Sequence, residues 1–198
     1  TIDKAIKSKC FDSIIVSTDC EEIAEISIKY GAKVPFLRPS FLATDKSSRN
    51  EVISFMFERI DNIDKLIYLQ PTSPFRSIES IKRFILFTKE KPENPSFSIS
   101  HITDNSSTLL IKKENYWNYV NDKFVINRQD NSEKIFKMDG SFFYINKNYW
   151  KDNKDNTSDY MRTKDTRFFI NSFNSLLESI DIDNYNDLNF ARSLKMNF

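Results

Sequence analysis

Two aspartates two residues apart, Asp181 and Asp183, could do chemistry together. On an extended chain, alternate side chains share a face, and positions i and i+2 have Cα atoms roughly 7 Å apart. Two carboxylates converging on one point suit Mg2+, which takes one or two carboxylates together with substrate phosphate oxygens. The same spacing also fits a plainer arrangement, with Asp183 capping the terminal helix and Asp181 in solvent. A second candidate is the run Gln70-Pro71-Thr72-Ser73-Pro74-Phe75-Arg76. Prolines at 71 and 74 fix φ and present the polar side chains between them rigidly. His101 is the single histidine and is read as a loop residue. Cys10 and Cys20 have no CxxC spacing and are read as small, partly buried thiols.

These residues need elements to position them. Ile2, Ala5 and Ile6 make the inner stripe of a short helix ending near Lys9. Residues 13–17 are a continuous β-branched run, the pattern of a strand buried on both faces. Asp19 and Glu22 have capping-box spacing before the stripe Ile23, Ile26 and Tyr30, which Gly31 closes. Residues 33–37 predict another strand, with Pro35 pointing to an edge. After a loop over 38–47, Ser48 and Glu51 form a second capping box before Val52, Phe55, Met56 and Ile60. Residues 66–69 predict a second buried strand, broken at 70–74; Ser77 caps a helix with Ile78, Ile81 and Ile85. Residues 97–99, 140–145 and 168–170 predict further strands, and Leu188, Ala191 and Leu194 a terminal helix.

Strands alternating with helices imply parallel βαβ units in a doubly wound α/β sheet. Ligands in such sheets bind at the carboxyl ends of the strands. That directs attention to the loops at 17–19, 38–48 and 70–76. From Thr103 the texture changes: residues 103–138 are rich in Asn, Lys, Asp and aromatics with weak periodicity, and predict hairpin strands leaving the main sheet. Connections beyond about 12–15 residues are usually functional. With Tyr116, Trp117, Tyr119 and Phe124 close together, this segment is read as a protruding dimerisation arm of a homodimer. The aromatic pairs Phe142-Phe143 and Phe168-Phe169 read as core on their own.

Composition narrows the class. At 198 residues with 39% hydrophobic content the chain is long enough for one domain and one sizeable core. Lys+Arg number 29 against Asp+Glu 28, a formal charge of +1, which argues against nucleic acid or a polybasic membrane surface as partner. No apolar run approaches the roughly 18 residues of a membrane span, so a reduced cytoplasmic protein is expected. Gly31 and Gly140 are the only two glycines, where average usage near 7% predicts about 14. Two distant glycines cannot assemble a P-loop or a GxGxxG turn.

The motifs then resemble one family throughout, in order. Residues 8–19, SKCFDSIIVSTD, resemble the SKxFDxIIVSTD segment of the CMP-sialic acid synthetases, the acylneuraminate cytidylyltransferases. The likeness continues through Gly31, Arg38-Pro39, Leu42-Ala43-Thr44-Asp45 and Ser47-Ser48. It is strongest at Leu69-Gln70-Pro71-Thr72-Ser73-Pro74-Phe75-Arg76, similar to LQPTSPLR. Gly140 to Ile145 is similar to NGAIYI, and Ser179 to Ala191 to SIDIDTxxDLxxA.

This resemblance implies a mixed, mostly parallel sheet of nucleotide-diphospho-sugar transferase type forming a single domain over residues 1–198. It implies transfer of CMP from CTP to a nine-carbon 2-keto sugar acid, a nonulosonic acid, with pyrophosphate leaving under Mg2+. By analogy Asp181 and Asp183 hold the metal and act catalytically with Gln70. Arg38, Ser48, Pro71 and Thr72 bind the nucleotide. Gln70, Arg128, Phe143, Tyr144, Phe168 and Phe169 face the sugar, with Arg128 reaching the partner subunit's site. There are departures. The family's opening strand and basic ARxGSKxxxxKN loop have no counterpart after Thr1, so a chain starting there is expected to be N-terminally truncated and poorly active by itself. Ser107 stands at the position of a sugar-contacting lysine. The rivals are a non-catalytic remnant that dimerises or binds nucleotide weakly, and a cytidylyltransferase for another sugar acid.

Overall fold

The structure, a computed structural model, describes residues 1–101, 110–112, 117–119, 136–155, 162–171 and 176–194. Its helices are α1 (Ile2–Ser8), α2 (Glu21–Lys29), α3 (Arg49–Arg59), α4 (Ile78–Glu90), α5 (Lys147–Asn153) and α6 (Tyr185–Ser193). Its strands are β1 (Lys65–Tyr68), β2 (Ser96–His101), β3 (Leu110–Lys112), β4 (Trp117–Tyr119), β5 (Phe136–Asn146) and β6 (Arg167–Ile170).

The main sheet has the order β1-β5-β2-β6. Strand β5 runs antiparallel to both β1 and β2, and β6 runs parallel to β2. Three strands therefore point one way and β5 the other, giving the mixed sheet expected. Alternation along β5 divides the core between the two faces. Phe143 and Ile145 pack with Ile53, Phe57, Phe97 and Trp150, on the side of α3 and α5. Phe142 and Tyr144 pack with Ile81, Phe84 and Phe169, on the side of α4. Among the described residues no helix is long and apolar enough to cross a membrane.

The helix starts follow local chemistry. Ser48 accepts from Glu51 N while the Glu51 side chain takes the Ser48 N–H, the box the sequence predicts. Ser77 caps α4 in the same way with Ser80. Helix α2 departs from expectation: its N-cap is Cys20, without a side-chain cap bond. Asp19 sits one residue too early to cap it. Gly31 follows the helix at φ +90°, as a C′ residue should.

The strands predicted at 13–17 and 33–37 shrink to one parallel bridge, Ile15 to Lys33. Two hydrogen bonds hold it, Val16 N to Lys33 O at 2.9 Å and Lys33 N to Ile14 O at 2.8 Å. Pro35 has no N–H with which to extend the ladder. Ile14, Ile15 and Val16 are half-buried, not enclosed on both faces.

In the segment read as an arm, β3 and β4 pair antiparallel as a ribbon, with Leu110 opposite Tyr119 and Lys112 opposite Trp117. Residues 136–138 of that segment belong to the main sheet as the start of β5. Arg128 and Ser107 lie outside the described residues.

One irregularity shapes the site. Phe97 pairs with Phe143 and Ile99 with Met138, so residues 139–142 of β5 face the single residue Ser98 of β2. Bulges of this kind re-aim the chain and recur beside active sites. Gly140, at φ +72°, lies within this one.

Candidate active site

The chain leaves β1 at Tyr68 and enters the proline-flanked turn. Ser73 N donates to Gln70 O at 3.4 Å, closing the turn. Ile182 N donates to Thr72 O at 2.9 Å, which docks the Asp181–Asp183 segment on the same turn. Gly140 lies between them. A Cβ built there would collide with Gln70 Oε1 and stand 2.9 Å from Asp181 Oδ2. Three segments far apart in sequence thus meet with no room for a side chain at Gly140. They do so at the carboxyl end of β1, where an α/β sheet binds its ligand.

Asp181 is half-buried, and its Oδ1 has no hydrogen-bond partner among the described residues. Asp183 is exposed, and its side chain does not cap α6: that cap is Asn184, which accepts from Asn186 N and Asp187 N. Asp183 donates its N–H to Asp187 Oδ2 at 3.0 Å. This removes the alternative in which Asp183 caps the helix. An open buried carboxylate oxygen with a solvent-facing carboxylate two residues on fits a hard cation that also takes phosphate oxygens. Among the described residues no group of three or more His, Cys, Asp or Glu could hold a metal ion.

Arg38 stands on the next loop, tied down by its N–H to Thr18 O at 2.7 Å. Its side chain is largely covered, reaches Asp19 at 3.9 Å, and leaves Nε without a partner among the described residues. Arg38 and Arg49 both act on Tyr68 at the end of β1: burial pushes the phenol pKa up, and the two guanidiniums oppose the rise. Arg49 lies 4.1 Å over the Phe143 ring. Ser48 is at the start of α3, its hydroxyl donating to Glu51 Oε2 at 2.8 Å. Pro71 is exposed on the turn.

The aromatic residues separate. Phe168 is 54% exposed on β6. Phe169, its neighbour, turns inward against Phe84 and Phe142. Tyr144 is buried and gives its hydroxyl to Pro92 O at 2.6 Å. Phe143 is buried beneath Arg49 and edge-on to Phe97. The expectation that Phe143, Tyr144 and Phe169 face a sugar is therefore corrected: all three belong to the core, and Tyr144 has its hydroxyl committed elsewhere.

Sequence reasoning passed over Gly140 and Arg76 as site residues. The scarcity of glycine was a usable signal for the first, since a chain with two glycines places them where nothing else fits. Arg76 is 1% exposed and gave no periodic signal. Burial lowers its pKa to about 10, and the carboxylates of Asp139, Asp181 and Glu178 act against that fall, so the guanidinium is charged at neutral pH.

A family model described as cytidylyltransferase matches residues 1–196. A CMP-N,N′-diacetyllegionaminic acid synthase of Legionella pneumophila is 43% identical over 89 residues, 43% of this chain and 38% of its own length. An N-acylneuraminate cytidylyltransferase of Escherichia coli is 34% identical over 135 residues, 63% of this chain and 32% of its own. A pseudaminic acid cytidylyltransferase of Campylobacter jejuni is 28% identical over 130 residues, 59% of this chain and 56% of its own. The chain thus spans about a third to just over half the length of these relatives. The solved structure of CMP:2-keto-3-deoxy-manno-octonic acid synthetase complexed with CTP superposes with a TM-score of 0.66 over 98% of this chain and 84% of that one. At 12% identity that likeness speaks for the fold. With the family match running over nearly its whole length, the chain belongs to the cytidylyltransferase family.

Proposed function

We propose that the protein carrying this chain joins CMP to a nonulosonic acid, using CTP and releasing pyrophosphate. The anomeric oxygen of the sugar bonds to the α-phosphorus, the bond from that phosphorus to the pyrophosphate oxygen breaks, and the hydroxyl proton passes to solvent. The convergence of Gln70, Gly140 and Asp181 at the carboxyl end of β1 carries this reading.

Phosphoryl-type transfer asks a protein mainly for positioning and charge neutralisation. Asp181 and Asp183 would hold Mg2+, which when bound offsets charge on the departing pyrophosphate. Gln70, Thr72 and Pro71 on the rigid turn orient the nucleotide and the sugar. Arg38, with a covered and incompletely paired guanidinium, takes an anionic group, and Ser48 stands farther along, at the start of α3. Phe168 offers an exposed apolar surface to the sugar's acyl groups. Arg128 completes the site of a partner subunit in a homodimer. A CTP-dependent synthesis of this kind belongs in the cytoplasm. The relatives' names, for legionaminic, acylneuraminic and pseudaminic acids, support the nine-carbon class.

Pyrophosphate release tests this with the protein, CTP, Mg2+ and a panel of nine-carbon and eight-carbon 2-keto sugar acids. Release is expected with a nine-carbon acid and to fall steeply in D181N. Release only with an eight-carbon acid would redirect the substrate class. Nucleotide binding with no release from any acid would mark a binding module.

A further inference from the structure

We infer that Arg76 is a positioning residue of the site, tying the Gln70 turn to the bulge at Gly140 so that Gln70 and Asp181 are held against each other. The inference rests on the cytidylyltransferase reading of that site. Arg76 Nε and Nη2 donate to Ser141 O at 3.0 and 2.6 Å. Nη2 also reaches Gln70 O at 3.2 Å, and Nη1 reaches Thr1 Oγ1 at 3.4 Å. One planar group thus grips the carbonyl of Gln70 itself and the carbonyl next to Gly140. The guanidinium lies 5.1 Å from the centre of the Phe142 ring, which backs it.

The bulge is fixed from its other side as well. Ser98 Oγ donates to Asp139 Oδ1 and accepts from Phe142 N at 2.9 Å, and Asp139 Oδ1 accepts from Ser141 N at 3.0 Å. Ser98 and Asp139 are 1% and 3% exposed. The charges of Asp139, Asp181 and Glu178 favour the charged form of the buried guanidinium.

A core position that needed only packing would be better served by an apolar residue, because desolvating a charge is costly. What Arg76 supplies is a rigid fork that can bond two carbonyls at once, and a lysine cannot reproduce it. Without the fork, Gln70 and Asp181 lose their common reference, while Arg38 and the rest of the turn still bind nucleotide. The loss should therefore fall on turnover more than on binding.

The test is Arg76→Lys, which keeps the charge and removes the fork. Folding is checked by circular dichroism, steady-state rates are measured against CTP, and Mn2+ binding is titrated by electron paramagnetic resonance. In a folded variant kcat should drop about 10–100-fold and Mn2+ affinity about tenfold, the range for residues that orient a metal's ligands. KM for CTP should move far less. A folded R76K with the kcat and Mn2+ affinity of the unsubstituted protein, or with its whole loss in KM, overturns the inference. Should R76K fail to fold, Ser98→Ala decides, since it loosens the same bulge from the β2 side: lower kcat at constant KM supports the inference, and unchanged kcat overturns it. If the unsubstituted protein shows no CTP turnover, the proposed reaction fails and the Mn2+ titration judges Arg76 alone. Weaker binding in R76K then supports the inference, and equal binding overturns it.

Discussion

At φ +72° Gly140 occupies backbone space that residues with a Cβ enter at a cost of about 1–2 kcal/mol. The strain is the smaller part of what a substitution would do there. A methyl group has to displace the Gln70 amide or the Asp181 carboxylate, the two groups on which the proposed chemistry depends. Gly140→Ala should remain folded, with a melting point several degrees lower, and should lose about 10²-fold or more in turnover, as when one electrostatic contact to a transition state is removed. Turnover at the unsubstituted rate would mean that the convergence is not the site. Asp181→Asn and Asp183→Asn should each lower kcat and shift the rate-against-Mg2+ curve to higher concentration; superimposable curves would make the pair structural. The sequence singled out the pair by its period-two spacing, which puts both side chains on one face only of an extended chain, whereas residues 180–184 form no strand. That Asp183 does not cap was not legible, since Asn184 and Asp187 offer the same cap one residue later. The pairs Phe142-Phe143 and Phe168-Phe169 were legible as core or wall but not as which, because adjacent strand residues face opposite ways and only the assembled sheet says which side is covered.

At the scale of elements, the helix starts at Ser48 and Ser77 could be read from local chemistry, and both caps form as boxes. The strands at 13–17 and 33–37 could not be judged locally, because a strand needs a neighbour, and among the described residues they have only each other at Ile15 and Lys33. The bulge at 139–142 was also hidden, since nothing in Ser98 announces that it will face four residues. The box at α3 makes a pH prediction. Hydrogen bonds from the Ser48 backbone and side chain hold the Glu51 carboxyl below its ordinary value of 4.5. A carboxylate with a lowered folded pKa adds stability above its unfolded pKa and loses it as the pH falls through the folded one. Glu51→Gln should therefore be less stable than the unsubstituted protein at neutral pH, with the difference closing in acid below the ordinary carboxylate range. Urea midpoints at several pH values check this, and a gap that persists unchanged into strong acid would contradict it.

At the level of the whole molecule, the proposed homodimer with shared sites makes predictions of its own. Light scattering at tens of micromolar should give twice the chain mass. If Arg128 serves the partner subunit, mixing separately inactive R128A and D181N proteins should restore activity, because a mixed dimer keeps one intact site. No recovery from a demonstrated mixed dimer would place Arg128 elsewhere. The doubly wound architecture was legible from the alternation of apolar runs and helical stripes, because each run is long enough to need burial and each stripe supplies a cover. The antiparallel course of β5 was not, since direction is set by the crossover from β2 rather than by residues within the strand. Transfer of CMP to the sugar is measured directly by phosphorus NMR of the protein with CTP, Mg2+ and a nonulosonic acid labelled with oxygen-18 at the anomeric hydroxyl. The three CTP signals should give way to pyrophosphate and one phosphodiester carrying the isotope shift, with no conversion in D181N. Pyrophosphate without a shifted phosphodiester, or equal conversion in D181N, would contradict a transfer of CMP to the sugar at the Asp181 site.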